Sequence, residues 1–122
     1  MDIGKITNYC LSKKGAYIDF PFGPFPACIK VCNKIFAQIY WTDEKKMITL
    51  KCDAIVGQHY RNEYPDAVTR GYHCPRVQQP YWNTVYFNGV VPYDELLKMI
   101  DHAYNVVVSK LPKKDKESLL SV

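Results

Sequence analysis

The feature that most constrains the fold of this sequence is a run of apolar residues that recur every three or four positions near its C-terminal end. Its members are Leu96, Leu97, Ile100, Ala103, Tyr104, Val107, Val108 and Leu111. This spacing places all of them on one face of an α-helix. We predict that the helix begins near Pro92 and that Pro112 ends it. A face this wide must be buried, and we expect it to cover a β-sheet.

Four other segments alternate between apolar and polar residues, which is typical of half-buried β-strands. They are residues 27–32, 35–41, 47–52 and 82–87. Asn33 and Lys34 lie between the first two segments and predict a two-residue hairpin turn. The alternation directs Lys30, Lys51 and Trp82 to the same face of the sheet, away from the core.

Two further helices are predicted from the residues at their ends. Residues 2–14 carry an apolar stripe, and Gly15 follows them in a position to end a helix. Residues 54–63 form a shorter segment that Asp53 can cap at its N-terminus.

The order helix, antiparallel strands, helix, strand, helix indicates an α+β fold. We predict a two-layer domain in which helices pack on one face of an antiparallel β-sheet and the other face is open to water. Residues 1–112 are assigned to this single domain, and residues 113–122 to a flexible basic C-terminal tail.

Two proline-containing segments connect these elements. Residues 16–26, A-Y-I-D-F-P-F-G-P-F-P, cannot form a helix, and their apolar content predicts that they pack along the body of the domain. Pro75 and Pro80 predict that the segment before the last strand has no regular structure.

Composition places the chain in a broad class of proteins. Its 122 residues suffice for one domain with a real core, and a hydrophobic content of 48 % argues against disorder. The odd number of five cysteines, without a signal peptide or an apolar run long enough to span a membrane, predicts a reduced, cytoplasmic protein with no membrane partner. The net charge of +4 is compatible with binding to nucleic acid.

Motifs for catalysis or for metal binding are missing from the sequence. It contains no Gly-rich phosphate loop, no G-x-S-x-G and no H-E-x-x-H. His73 and Cys74 are the only adjacent pair of histidine and cysteine residues, and a zinc site needs three or four convergent donors. We therefore expect a non-enzymatic protein with no catalytic residues, no cofactor and no bound metal.

Several motifs resemble those of a known family, in matching order and over nearly the whole chain. They are Y-C-L-S-K-K-G-A-Y-I-D-F-P-F-G, I-T-L-K-C-D, G-Y-H before W-N-T-V-Y, and I-D-H-A-Y-N-V-V-V-S-K-L-P-K-K. On these residues the chain resembles the MmcQ/YjbR family. The resemblance implies a CyaY-like (frataxin-like) fold described as a double-wing DNA-binding motif. It places Gly71, Tyr72 and His73, and then Trp82, Asn83 and Thr84, in the signature region.

The frataxin-like fold also raises iron binding as a hypothesis. Frataxins bind iron on an acidic ridge centred on the first helix. Here the first helix has Asp2 alone and ends in Lys13 and Lys14, so the carboxylate oxygens that a hard cation prefers are missing.

The candidate binding site is a basic and aromatic surface that comprises a sheet face and the turn that leads into the last strand. Its residues are Lys30, Lys51, Arg70, His73, Arg76, Trp82 and Asn83. Lysine and arginine would contact phosphates, and the indole could stack on an unpaired base. We predict DNA binding at this surface. The alternative is a protein- or peptide-interaction module that uses the same Tyr/Trp/Arg-rich surface.

Overall fold

The computed structural model describes residues 2–71 and 73–121, in which an antiparallel β-sheet carries the helices. The helices are α1 (Ile3–Leu11), α2 (Ala54–Glu63), α3 (Tyr93–Ser109) and α4 (Lys113–Leu120), with a 3-10 helix at Arg76–Tyr81. The strands are β1 (Tyr17–Asp19), β2 (Ala27–Val31), β3 (Lys34–Trp41), β4 (Lys46–Lys51), β5 (Val68–Arg70) and β6 (Trp82–Tyr86). Their order in the sheet is β1-β2-β3-β4-β6-β5, which confirms the predicted α+β fold. None of the described helices is long and apolar enough to cross a membrane.

Helix α3 covers the centre of the sheet, as its apolar stripe predicted. Leu96 and Ile100 are fully buried, and they belong to the same core cluster as Ile48 of β4 and Val85 of β6. Since Ile48 pairs directly with Val85 across the two strands, both side chains meet the helix from the same face. We call this face of the sheet the helix face, and the opposite one the outer face.

A β-bulge in β3 places one large aromatic residue in the core. Ile29 of β2 pairs with Ala37, but the next residue of β2 pairs with Ile35, so Phe36 is an extra residue in the ladder. Phe36 is fully buried, and its ring meets that of Tyr104 edge-on with the ring centres 5.4 Å apart. The bulge thus allows Phe36 and Ala37, two neighbouring residues, to be buried together.

The hairpin between β2 and β3 turns one residue earlier than predicted. Cys32 and Asn33 have φ values of 47° and 66°, which are the left-handed values that a type I′ turn requires at both central positions. Asparagine tolerates this conformation better than lysine does. Asn33 therefore occupies the second turn position, and Lys34 begins β3.

Residues 16–26 differ from their prediction. Three of them form β1, the edge strand, and the loop that follows β1 exposes its phenylalanines instead of packing them along the body. Phe20, Phe22 and Phe25 retain 50 %, 67 % and 41 % of their accessible surface. The other edge strand, β5, was also missed, because three residues are too few to show a period of two.

The prediction that the outer face is open to water is wrong for its centre. Thr49 of β4 and Thr84 of β6 point to this face, yet both are buried and share a hydrogen bond of 2.9 Å. The segment after β5 passes over this face, since the ring of His73 lies against the Tyr40 ring with centres 5.5 Å apart. Within that segment the two prolines are compatible with a 3-10 helix: Pro75 caps it, and Pro80 lies in its last turn.

Both ends of the chain were predicted incorrectly in part. Helix α1 ends at Leu11 rather than at residue 14. The segment predicted as a flexible tail forms helix α4 up to Leu120. Leu119 is the buried residue of α4 and lies against Gly15, where an added Cβ atom would lie 2.5 Å from the leucine side chain. Met1 and Val122, at the outer limits of the two predicted regions, lie outside the described residues.

Truncation of a core residue in α3 tests the packing. We expect Ile100→Ala to lower the free energy of unfolding by about 2–5 kcal/mol, because it leaves a cavity in a fully buried site. Asn105→Ala, on the exposed side of the same helix, is the control and should change stability by less than about 0.5 kcal/mol. Urea titration of both variants measures the difference. Equal stabilities would contradict the packing described.

Candidate functional site

A cleft of about 480 Å³ opens at one end of the sheet, where four elements meet. These are the β2–β3 turn, the last residue of β4, the first residue of β6 and the C-terminal end of α3. The residues that line the cleft are Asn33, Lys34, Ile35, Lys51, Trp82, Val107, Lys110 and Leu111. We call it the lysine cleft, since three lysines are the only ionisable side chains among the described residues that line it.

The three lysines of the cleft lack an acidic partner. In residues 2–71 and 73–121, Lys34, Lys51 and Lys110 form no salt bridge, whereas five other basic side chains do. Burial lowers the pKa of Lys51, and the nearby charge of Lys110 lowers it further. Both effects disfavour the charged form of a lysine. The cleft therefore holds positive charge that no described carboxylate compensates.

Two aromatic rings hold the lysine ammonium groups by cation–π contacts. The Nζ atom of Lys51 lies 5.0 Å from the ring centre of Trp82 and 5.8 Å from that of Tyr81. The Nζ atom of Lys110 lies 5.9 Å from the same Tyr81 ring. Trp82 is half-buried, while Tyr81 keeps 40 % of its surface exposed. An exposed ring between two cations is thus available at the rim of the cleft.

Asn83 anchors β6 to α2 instead of facing solvent. It is 4 % exposed, its Nδ2 donates to the carbonyl of Gly57 (3.0 Å), and its Oδ1 accepts from Arg61 (2.6 Å). An added Cβ atom at Gly57 would lie 2.5 Å from the Cys52 sulfur, so the close approach of α2 to the sheet requires glycine there. We predicted from the sequence that Asn83 contacts nucleic acid. Because its side chain is buried and hydrogen-bonded to α2, its role is structural instead.

Gly71 allows the chain to pass close to Trp82. Its N–H donates to the Trp82 carbonyl (2.8 Å), and an added Cβ atom would lie only 2.7 Å from Cβ of Trp82. The G-Y-H motif therefore requires glycine at its first position, because a side chain there would clash with Trp82. Tyr72, the second residue of the motif, lies outside the described residues.

Lys51 and Trp82 are the two predicted site residues that the fold brings together at the cleft. Lys30 shares their outer face, but its ammonium group pairs with Asp19 at 2.7 Å. Arg70 pairs with Asn83 in the sheet, so alternation directs it to the helix face, opposite to Trp82.

The two other predicted residues lie elsewhere. The ring of His73 lies against that of Tyr40, which pairs with Met47 of β4. Met47 is about 13 Å from Lys51 along this strand, at about 3.3 Å per residue, so His73 lies away from the cleft. Burial and the charge of Lys45 lower the pKa of His73. Arg76 is exposed at the start of the 3-10 helix and does not line the cleft.

Sequence reasoning missed three residues of the site: Lys34, Lys110 and Tyr81. Lys34 was assigned to a turn, and Lys110 was not singled out. The available signal in the sequence was that a lysine stands at one end of each of three elements: Lys34 in β3, Lys51 in β4 and Lys110 at the C-cap of α3. Only the topology of the fold shows that these three ends lie close together. Tyr81 belonged to the proline-containing segment that precedes Trp82.

The described residues contain no cluster for metal binding and no activated thiol. No three His, Cys, Asp or Glu side chains come together in residues 2–71 and 73–121. Burial raises the pKa of all five cysteine thiols, that of Cys10 to about 12 and that of Cys52 to about 11. Thiols in this state are mostly protonated at neutral pH and are weak nucleophiles.

Fold and site together define a small α+β domain with a basic, aromatic cleft at one end of its sheet. The family model YjbR matches residues 11–106, and the chain belongs to this family. It is 25 % identical to the uncharacterized protein YjbR of Escherichia coli (strain K12) over 122 residues, which cover all of both proteins.

Two solved structures share the fold. The crystal structure of Deinococcus radiodurans protein DR2400, with the domain DUF419, has a TM-score of 0.85 at 24 % identity and covers 96 % of this chain and 86 % of its own. A protein from Pseudomonas syringae has a TM-score of 0.67 at 21 % identity and covers 87 % of this chain and 98 % of its own. At sequence identities of 24 % and 21 %, these similarities show that the fold is shared.

A half-buried histidine next to the cleft generates a pH prediction. His102 of α3 accepts a hydrogen bond at Nε2 from the backbone N–H of Asp53 (3.0 Å), two residues after Lys51. Burial lowers the pKa of His102 in the folded protein. Because the unfolded chain then takes up the proton first, stability is present above about pH 6.5 and is lost as the pH falls through the lowered value.

We expect the free energy of unfolding to decrease below about pH 6.5 and to decrease less in His102→Gln. Glutamine keeps a hydrogen-bond acceptor but does not titrate. Urea titrations of both proteins between about pH 5 and pH 8 measure the effect, and the values at pH 8 serve as the reference. Parallel pH profiles would show that His102 does not contribute.

Proposed function

We propose that this protein binds DNA, with the phosphates at the lysine cleft. The observation that carries the proposal is that Lys34, Lys51 and Lys110 line one cleft without a carboxylate partner in the described residues. A phosphate group in the cleft would compensate their charge and favour the protonated form of Lys51, which its surroundings now disfavour. This charge balance favours an anionic ligand over a neutral one.

The number of cationic contacts sets the strength of binding. Three lysines can neutralise about three phosphates, which corresponds to weak, non-specific affinity with dissociation constants of roughly 1–100 μM at physiological salt. Phosphate contacts carry no base preference. We therefore infer binding without marked sequence specificity.

Tyr81 is the residue best suited to contact a base. Its ring is 40 % exposed and lies near the ammonium groups of both Lys51 and Lys110. The half-buried Trp82 already contacts Lys51, so we assign it the task of holding that lysine in the cleft. Since stacking requires an unpaired base, the arrangement favours single-stranded over duplex DNA.

Removal of a cleft lysine tests the phosphate contacts. We expect Lys51→Ala and Lys110→Ala each to weaken binding of all sequences alike. Each should also flatten the plot of log affinity against log salt by about 0.7 for single strands, because one phosphate contact is lost. Fluorescence anisotropy with a labelled thymidine oligonucleotide, at salt concentrations from about 50 to about 200 mM, measures both quantities.

Lys98→Ala is the matched control. It removes the same charge from α3, but Lys98 pairs with Glu95 and does not line the cleft. It should leave the salt dependence unchanged. Equal effects of Lys98→Ala and Lys110→Ala would contradict a defined site. Absence of binding by the folded protein at about 50 mM salt would exclude DNA and favour the alternative of a protein or peptide ligand.

A second variant tests the base contact. We expect Tyr81→Leu to weaken binding of single-stranded DNA by about 1–3 kcal/mol with little change in its salt dependence, because a stacking surface is lost while the charges remain. Duplex DNA should bind Tyr81→Leu and the unmodified protein equally in the same anisotropy assay. An equal loss for both forms of DNA would assign Tyr81 to the support of the lysines.

A further inference from the structure

Five large apolar side chains are exposed along one edge of the domain. They belong to β1 and to the loop that follows it, and they are Tyr17 (39 % exposed), Ile18 (39 %), Phe20 (50 %), Phe22 (67 %) and Phe25 (41 %). We call this set the phenylalanine edge. Exposed apolar residues scattered singly need no explanation, but contiguous ones mark interaction surfaces.

The backbone at this edge has an open side. Strand β1 is the outermost strand of the sheet and pairs only with β2 among the described strands. An edge strand can accept another strand through its unpaired backbone groups. The phenylalanine edge therefore combines apolar side chains with a backbone that is able to continue the sheet.

Charge restricts the partner that fits this surface. Between Gly15 and Ile29 the only charged residue is Asp19, and it pairs with Lys30 at 2.7 Å. A strongly acidic or basic partner would find no complementary charge here. A surface of the same composition would fit without an unpaired charge, and this chain carries such a surface itself.

The exposed area is close to what a weak dimer needs. With about 200 Å² for a fully exposed large side chain, the five residues expose roughly 500 Å² per copy. Since Tyr17 and Ile18 point to opposite faces of the sheet, two copies would bury at most about 1,000 Å², which is the lower limit for a specific interface. The contact would therefore be weak and concentration-dependent.

We propose that the phenylalanine edge is a homodimer interface, in which β1 pairs antiparallel with β1 of a second copy across a two-fold axis. The two sheets would continue into one another, and the phenylalanine-containing loop of each copy would lie beside the residues that precede Tyr17 in the other. Both copies would use the same surface, the phenylalanine edge, as an isologous interface requires. Phe20, Phe22 and Phe25 lie away from the lysine cleft, in the loop at the opposite end of the β1–β2 pair, whereas the hydroxyl of Tyr17 donates to Asn33 of the cleft lining (2.9 Å).

Salt distinguishes this contact from DNA binding. Each copy has a formal charge of +4, so repulsion between copies opposes dimerisation and is screened at higher salt. Dimerisation should therefore strengthen as salt increases, while DNA binding should weaken. The two proposals can thus fail separately.

Sedimentation equilibrium of the whole chain, from about 10 μM to about 1 mM and at two salt concentrations, tests the proposal. We expect a reversible monomer–dimer equilibrium, and Phe22→Ser should weaken it by about tenfold or more. Ile55→Ser, which removes an apolar side chain 81 % exposed on α2, is the control and should leave it unchanged.

Hydrogen exchange provides a second measurement. Those amides of Tyr17–Asp19 that face away from β2 should become more protected as the protein concentration rises, because they would join a second strand pair. A protein that stays monomeric at about 1 mM would overturn the proposal and leave a different partner for this edge. So would a dimer that Ile55→Ser dissociates and Phe22→Ser does not.

Discussion

Burial of the apolar face of α3 against β3 and β4 sets the position of the other elements. The helix residues Leu96, Ile100 and Ala103 have no accessible surface, and the strand residues that face them are equally buried. Because the helix has one fixed contact face, its C-terminal end lies at one end of the sheet. Lys110 is thereby placed beside Lys51, the last residue of β4. The contact that builds the core therefore also builds the cleft.

The sequence predicted those elements whose information is local and repeated. Helix α3 has five turns of apolar periodicity, and α2 has Asp53, whose side chain accepts from the N–H groups of Ile55 and Val56. The short edge strands and α4 carry no such repetition. In α4 a single buried residue, Leu119, decides the outcome, and it does so through a contact with Gly15, far away in the sequence. No pattern within the eight residues of α4 can show such a contact.

The candidate site was predictable only where strand alternation determined it. Alternation placed Lys51 and Trp82 on the same face, and the two lie together. The same alternation places Asn83 with Val85 on the helix face. A polar residue type alone suggested a surface role for Asn83, whereas an amide facing inward must find hydrogen-bond partners, here Gly57 and Arg61. For Asn83, the alternation of the strand thus predicts burial better than the polarity of the side chain does.

Two features of the domain oppose its own stability and so call for an explanation outside the monomer. Lys51 is half-buried beside a second lysine without a described carboxylate partner, although Lys13 and Lys30 on the same domain each have one. Phe22 is two-thirds exposed, whereas Phe36 is fully buried. Local violations of otherwise consistent packing and pairing are expected where a protein meets a ligand or a partner. An anion at Lys51 and an apolar surface at Phe22 would each supply the contact that the monomer lacks.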